Sequence, residues 1–159
     1  MPEESVQWLT DSETRTWLAL WSVSEWLPTR LDEQLKRDSG LSHRDYFTLA
    51  QISMAPGKQI SMSELARLSN ISASHLSHVV TRLEKHDWVR RHSDPHDRRT
   101  NIATLTDEGL EFIRGAAPGH VSEVRRLVFD SLDAEETEVL GRLLNKVLGG
   151  VSPSAAARG

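Results

Sequence analysis

The stretch that most limits what this chain can become runs from residue 62 to 87, MSELARLSNISASHLSHVVTRLEKHD. In its second half Leu76, Val79, Val80 and Leu83 recur at i, i+3, i+4 and i+7, the period of a helix with one buried stripe. The opposite face carries Ser74, Ser77, His78, Thr81 and Lys85, with Arg82 at its edge and Glu84 to the side, near the apolar stripe. That face is made of short hydrogen-bonding groups and cations, without a carboxylate. A surface helix ordinarily mixes both signs of charge, so a face lacking acids suits a polyanion better than bulk water.

The first half predicts how this helix is presented. Ser61 and Glu64 form an S-x-x-E capping box that starts a short helix with Met62, Leu65, Ala66 and Leu68 on its apolar side. Asn70 tolerates the left-handed conformation that a sharp exit from a helix needs. Ile71 can plug the gap between the two helices, and Ser72 can cap the second. A small Ala66 lets two helices approach closely, and the turn sets their crossing angle, which is the helix-turn-helix pattern. An ordinary helical hairpin is the competing reading.

The flanking sequence supplies the frame. Residues 1–11 read as a frayed leader, followed from Asp11 or Ser12 by a long helix bearing Trp17, Leu20, Trp21, Leu27, Leu31 and Leu35. Pro28 predicts a kink in it, and Gly40 closes it. Ser42 caps a second helix with Tyr46, Phe47, Leu49, Ala50 and Ile52 as its apolar positions, ended by Pro56-Gly57. Beyond the central stretch, WVRRH at 88–92 and TNIATL at 100–105 predict two strands around SDPHDRR, a polar turn with arginines at its tip. A β-hairpin placed directly after a helix-turn-helix is a wing. Thr106 opens another helix, which Pro118-Gly119 kinks or interrupts. Asp133 and Glu136 mark a fresh helix start, whose seam Leu140, Leu143, Leu144, Val147 and Leu148 runs to Gly149-Gly150. The expected fold is a single domain, mainly α with a small β-hairpin wing. Its parts are flanking helices at 12–38 and 108–149, a winged helix-turn-helix at 42–106 and a disordered tail at 150–159.

Charge is distributed unevenly. The chain carries −4 overall, yet residues 72–100 hold six Lys and Arg against four acids, or +2, which leaves −6 elsewhere. Five of the seven histidines, His75, His78, His86, His92 and His96, fall in the same window. A basic region on an acidic molecule steers a nucleic acid onto one face. Cysteine is absent, which removes disulfides, thiolate metal sites and thiol sensors and agrees with a reducing cytoplasm as the expected location. No apolar run approaches the ~18 residues of a membrane span.

These residues together resemble the MarR family of bacterial transcription regulators. The resemblance is carried by SELARLSNISASHLSHVVTRLEKHDWVRR and DPHDRRTNIATLTDEG, and it covers residues 12–149. The second segment holds the wing signature, Asp97, Arg99, Leu105 and Thr106. Asp87 departs from it, since the family usually has glycine there. The resemblance implies a homodimer on a palindromic operator and double-stranded DNA as partner. It places Arg99 in the minor groove with Asp97 holding it. It also implies a small aromatic effector between the first two helices and the winged region, where Arg15, Trp17, Trp21, His43 and Tyr46 are the candidates. Plain core packing accounts for those aromatics equally well.

The expected DNA contacts are Ser72, Ser74, His75, Ser77, His78, Thr81, Arg82, Lys85, Asp97, Arg98 and Arg99. Ser74, Ser77 and His78 are expected at base edges, and Arg82 and Lys85 at phosphates. Three alternatives compete. An enzyme lacks support from any cysteine nucleophile, glycine-rich phosphate loop or H-E-x-x-H motif, and no cofactor is expected. A metal-responsive DNA-binding regulator could draw ligands from His86, His92 and His96 with Asp94 or Asp97. A winged helix used for protein binding would want an anionic or mixed recognition face, which this one is not.

Overall fold

The computed structural model describes residues 6–151. The first five residues of the expected leader and residues 152–159 of the expected tail lie outside the described residues.

Helix α1 (Asp11–Ser39) begins one residue after its cap. Thr10 Oγ1 accepts the Glu13 N–H at 3.2 Å, and the Glu13 carboxylate accepts the Thr10 N–H at 2.8 Å. Thr10 is therefore the start of structure and not part of a frayed leader. Gly40, at φ 71°, closes α1 by donating its N–H to the Lys36 carbonyl. Pro28 sits inside α1 without ending it. The carbonyl its missing N–H leaves open belongs to exposed Ser24, within reach of water.

Helix α2 (His43–Met54), capped by Ser42, leads through a turn at Pro56–Lys58 into a strand that sequence periodicity does not predict, β1 (Gln59–Ser61). Then come α3 (Met62–Leu68), α4 (Ala73–Lys85) and the hairpin strands β2 (Val89–Ser93) and β3 (Asn101–Leu105). The expected two-stranded hairpin is thus a three-stranded antiparallel sheet of order β1-β3-β2. Ile60 pairs with Ala103, and Arg91 pairs with Ala103 from the other side. Leu35, Leu49, Ile52, Leu65, Leu76, Val79, Val80, Leu83, Val89 and Ala103 are fully enclosed where α1 to α4 meet the sheet. Each large aliphatic among them contributes about 1.5–3 kcal/mol relative to exposure.

Helix α5 (Asp107–Leu127) runs through Pro118-Gly119 unbroken, so of the expected kink or interruption the interruption is absent. The chain forms two compact units, one up to His120 and one from Val121. The second contains the end of α5, a turn at Phe129–Ser131 and α6 (Ala134–Val151). Asp133 and Glu136 cap α6 reciprocally, at 2.8 and 2.9 Å. Gly150 and Val151 are helical and so are not part of the expected tail. On α6 Leu143, Leu144, Val147 and Leu148 stand exposed.

The candidate nucleic-acid interface

The helix-turn-helix forms for the expected reasons. Asn70 adopts φ 53°, Ala66 is buried, and Ile71 packs against the core. Ser61 accepts the Glu64 N–H, but the Glu64 carboxylate turns to Arg67, so only half of the predicted capping box exists. Ser72 caps α4 by accepting the His75 N–H at 3.2 Å, which gives its hydroxyl a structural task. Leu76, Val79, Val80 and Leu83 have no exposure at all, while Ser74, His75, His78 and Lys85 are exposed.

Two expected contacts acquire other partners. Arg82 Nε and Nη2 reach the two carboxylate oxygens of Asp45 at 3.1 and 2.5 Å. Asp45, in the first turn of α2, is a nearly buried anion that ties α2 to α4. Its side chain is 10% exposed and that of Arg82 48%. Arg82, expected at phosphate, thus has a protein partner as well, and the carboxylate holds its guanidinium pKa above the ordinary range. Thr81 donates its hydroxyl to the Ser77 carbonyl at 2.8 Å and accepts from Arg91 at 2.9 Å, so it has no proton left to donate to DNA. Arg91, on β2, also donates to Ser77 Oγ and doubly to Glu84. Glu84, the only acid of α4, is thereby neutralised from within. Sequence reasoning missed Arg91 and Asp45. The available signal was a lone acid on an otherwise cationic helix.

The junction after α4 is built around close contacts. Asp87 adopts φ 58°, the backbone that the family's glycine would supply without strain. Thr106 donates to the Asp87 carbonyl at 2.6 Å and accepts the Gly109 N–H at 3.0 Å. A Cβ on Gly109 would lie 2.2 Å from the Trp88 carbonyl oxygen, so only glycine permits this approach. Trp88 stacks between His86 at 4.4 Å and Phe112 at 3.9 Å.

The wing tip is organised by two aspartates acting on backbone. Asp94 Oδ1 accepts the His96 N–H at 2.7 Å, and Asp97 Oδ1 accepts the Arg99 N–H at 3.0 Å. Asp97 Oδ2 accepts the Thr100 hydroxyl at 3.0 Å. Asp97 thus holds Arg99 through its backbone and shapes the loop. Arg98 and Arg99 are exposed.

Two histidines of the metal alternative have other partners. His86 lies on Trp88, and His92 Nε2 is 2.9 Å from Thr104 Oγ1. Among the described residues no three His, Asp or Glu side chains are grouped as a metal would require.

Four of the five expected effector residues fall into two groups, and Arg15 is exposed on α1. Trp17 and Trp21 touch each other, with ring centroids 5.7 Å apart, on an exposed part of α1. His43 and Tyr46 instead surround His120, at 5.8 and 4.5 Å. His43 donates its backbone N–H to Asp32, eleven residues beyond Trp21 on α1, or roughly 16 Å along the helix. Within one chain they do not converge, because α1 is too long for both ends to meet α2. His120 also faces buried Gln34, 3.3 Å from its Oε1. Burial depresses the pKa of both imidazoles, and His43 depresses that of His120 further.

Comparison with known proteins gives a consistent set. The model described as MarR family matches residues 39–100. Sco3205, a MarR family transcriptional regulator from Streptomyces coelicolor solved in complex with DNA, is 42% identical with a TM-score of 0.88, covering 96% of this chain and 95% of that one. AbsC, another from the same organism, is 37% identical with a TM-score of 0.86, covering 92% and 98%. The HTH-type transcriptional regulator PapX of Escherichia coli is 28% identical over 109 residues, 69% of this chain and 66% of its own length.

Proposed function

This chain belongs to the MarR family of DNA-binding transcriptional regulators, not to an enzyme family, and on that premise we propose that it acts as a homodimeric repressor on a palindromic operator. Helix α4 enters the major groove and Arg99 the minor groove of each half-site. The observation that carries this reading is the exposed face of α4, where Ser74, His75, His78 and Lys85 stand together and the helix's only acid is occupied by Arg91. Nothing on that face repels a phosphate backbone.

Ser74, Ser77 and His78 read base edges in this proposal, and Lys85, in the last turn of α4, meets phosphate. Arg98 adds charge at the tip. Dimerisation is supported by exposed Trp17, Leu18, Leu20 and Trp21 on α1 and by the exposed seam of α6, since apolar surface of this extent calls for a partner. Two α4 helices related by a dimer axis address half-sites about one helical turn, roughly 34 Å, apart. Repression follows from occupancy alone, because a dimer covering promoter DNA excludes polymerase. An aromatic effector held by Arg15, Trp17, Trp21, His43 and Tyr46 of one protomer is not part of the proposal, since these side chains stand in two separate places.

Selection from a randomised duplex pool tests the reading. The expected product is an inverted repeat, and Lys85→Ala should weaken binding to all sequences alike. It should also reduce the slope of log affinity against log salt by roughly one unit per lost contact. An unenriched pool, or a Lys85→Ala protein with an intact slope and a changed preference, contradicts it.

A further inference from the structure

We propose that Arg91 is a positioning residue that sets base preference through Ser77, an inference that rests on the reading of α4 as the recognition helix. Strand β2 is an edge strand, so backbone N–H groups directed away from β3 need a partner outside the sheet. The Arg91 N–H finds one in Glu84 Oε1 at 3.0 Å. Its Nε and Nη2 reach Glu84 Oε2 at 3.0 and 2.6 Å. The guanidinium is thereby fixed against α4, with both side chains about 70% covered (30% and 29% exposed). From that position Nη1 donates to Ser77 Oγ at 3.1 Å and Nη2 to Thr81 Oγ1 at 2.9 Å.

The consequence lies in hydrogen-bond polarity. A guanidinium has no acceptor, so toward Arg91 both hydroxyls must accept. Thr81 gives its proton to the Ser77 carbonyl and has no proton left to donate. Ser77 keeps its proton, and its O–H must point elsewhere. A free serine can donate or accept and so discriminates weakly between bases. A serine with one lone pair taken by a fixed cation, which also draws charge from the oxygen, donates more readily than it accepts. In the major groove that donor suits guanine N7 or O6, adenine N7 or thymine O4, and it is a poor match for the amino group of cytosine. Arg91 touches no base in this scheme; it tilts the Ser77 hydroxyl toward donation. Lysine keeps the charge but lacks the planar fork that holds Glu84, Ser77 and Thr81 at once.

The test uses the full-length protein and the duplex enriched by the wild type. Affinities are measured for that duplex and for its variants with each base pair replaced in turn. R91K and S77A should both lose discrimination at the same base pair, by about three- to tenfold, as for one neutral hydrogen bond. The double variant R91K/S77A should lose no more than the greater single loss, because one contact is removed in each case. Discrimination is a ratio of affinities for one preparation, so a reduced folded fraction does not alter it. If R91K weakens every duplex equally and keeps the wild-type preference, Arg91 is only a fastener and the proposal fails. It fails too if R91K and S77A affect different base pairs. A wild type that enriches no sequence overturns this inference together with the DNA-binding reading, whereas the first two outcomes leave that reading intact.

Discussion

At the scale of single residues, the ion pair between Arg82 and Asp45 changes what a mutation should do. Removing the guanidinium leaves a nearly buried carboxylate without its cation. Arg82→Ala should therefore destabilise the fold by about 1–3 kcal/mol, toward the lower end because the arginine is half exposed to screening solvent. Urea denaturation measures this, and the loss in Asp45→Asn/Arg82→Ala should fall short of the sum of the two single losses. The salt slope of DNA binding should stay as in the wild type, which separates Arg82 from Lys85. The histidines make a second residue-scale prediction. His43 and His120 have pKa values depressed below 6.5 in the fold, and Asp32 and Arg44 act on His43 in opposite senses. Between the depressed value and 6.5 the unfolded chain binds more protons than the folded one, so stability rises with pH across that window. Thermal melts should show stability falling as pH drops from 7.5 toward 5.5, before the acids with lowered pKa begin to protonate. A His43→Gln/His120→Gln protein should lose much of that dependence; an undiminished slope would assign it to other groups.

At the scale of elements, the wing tip has its own internal economy of hydrogen bonds, because Asp94 and Asp97 accept from backbone within the same loop. Arg99→Ala should weaken operator binding by about 1–3 kcal/mol. Asp97→Ala should lose part of the same energy by loosening the loop that aims Arg99, with the dimer unaffected. An anisotropy double-mutant cycle checks the coupling, and full additivity would mean that the aspartate does not position the arginine. The wing was legible because its signals are local: an Asp-Pro turn, flanking β-branched residues, and Thr106 before acids. The same holds for the caps Ser42, Ser61 and Ser72 and for the left-handed Asn70. What escaped was short or distant. Strand β1 has three residues, too few for any periodicity, and exists because β3 offers it an edge. Asp45 and Arg82 are 37 positions apart, and Arg91 meets Ser77 only after the chain has turned from helix to strand. Pro28 and Pro118 were read from backbone cost alone; at exposed helix positions that cost does not end the helix.

At the scale of the whole molecule, the unfinished business is apolar surface. Trp17, Leu18 and Trp21 on α1 are about half exposed, as are Leu143, Leu144 and Leu148 on α6. Sedimentation should find a dimer at micromolar concentration, and removal of residues 1–38 should cost both the dimer and operator affinity. A stable wild-type monomer would leave these faces unexplained and the proposed palindromic operator without its second reader. The crowding of indoles along α1 also has an optical consequence. Of the five tryptophans, Trp8, Trp17, Trp21 and Trp26 lie in the first 26 residues and stand 49–82% exposed in the single chain. The fifth, Trp88, is stacked at the root of the wing between His86 and Phe112. Indole emission moves to shorter wavelength as water leaves the ring, so the unlabelled protein's colour reports the company its first helix keeps. Replacing the first four by phenylalanine silences that signal and leaves one indole, at the root of the wing.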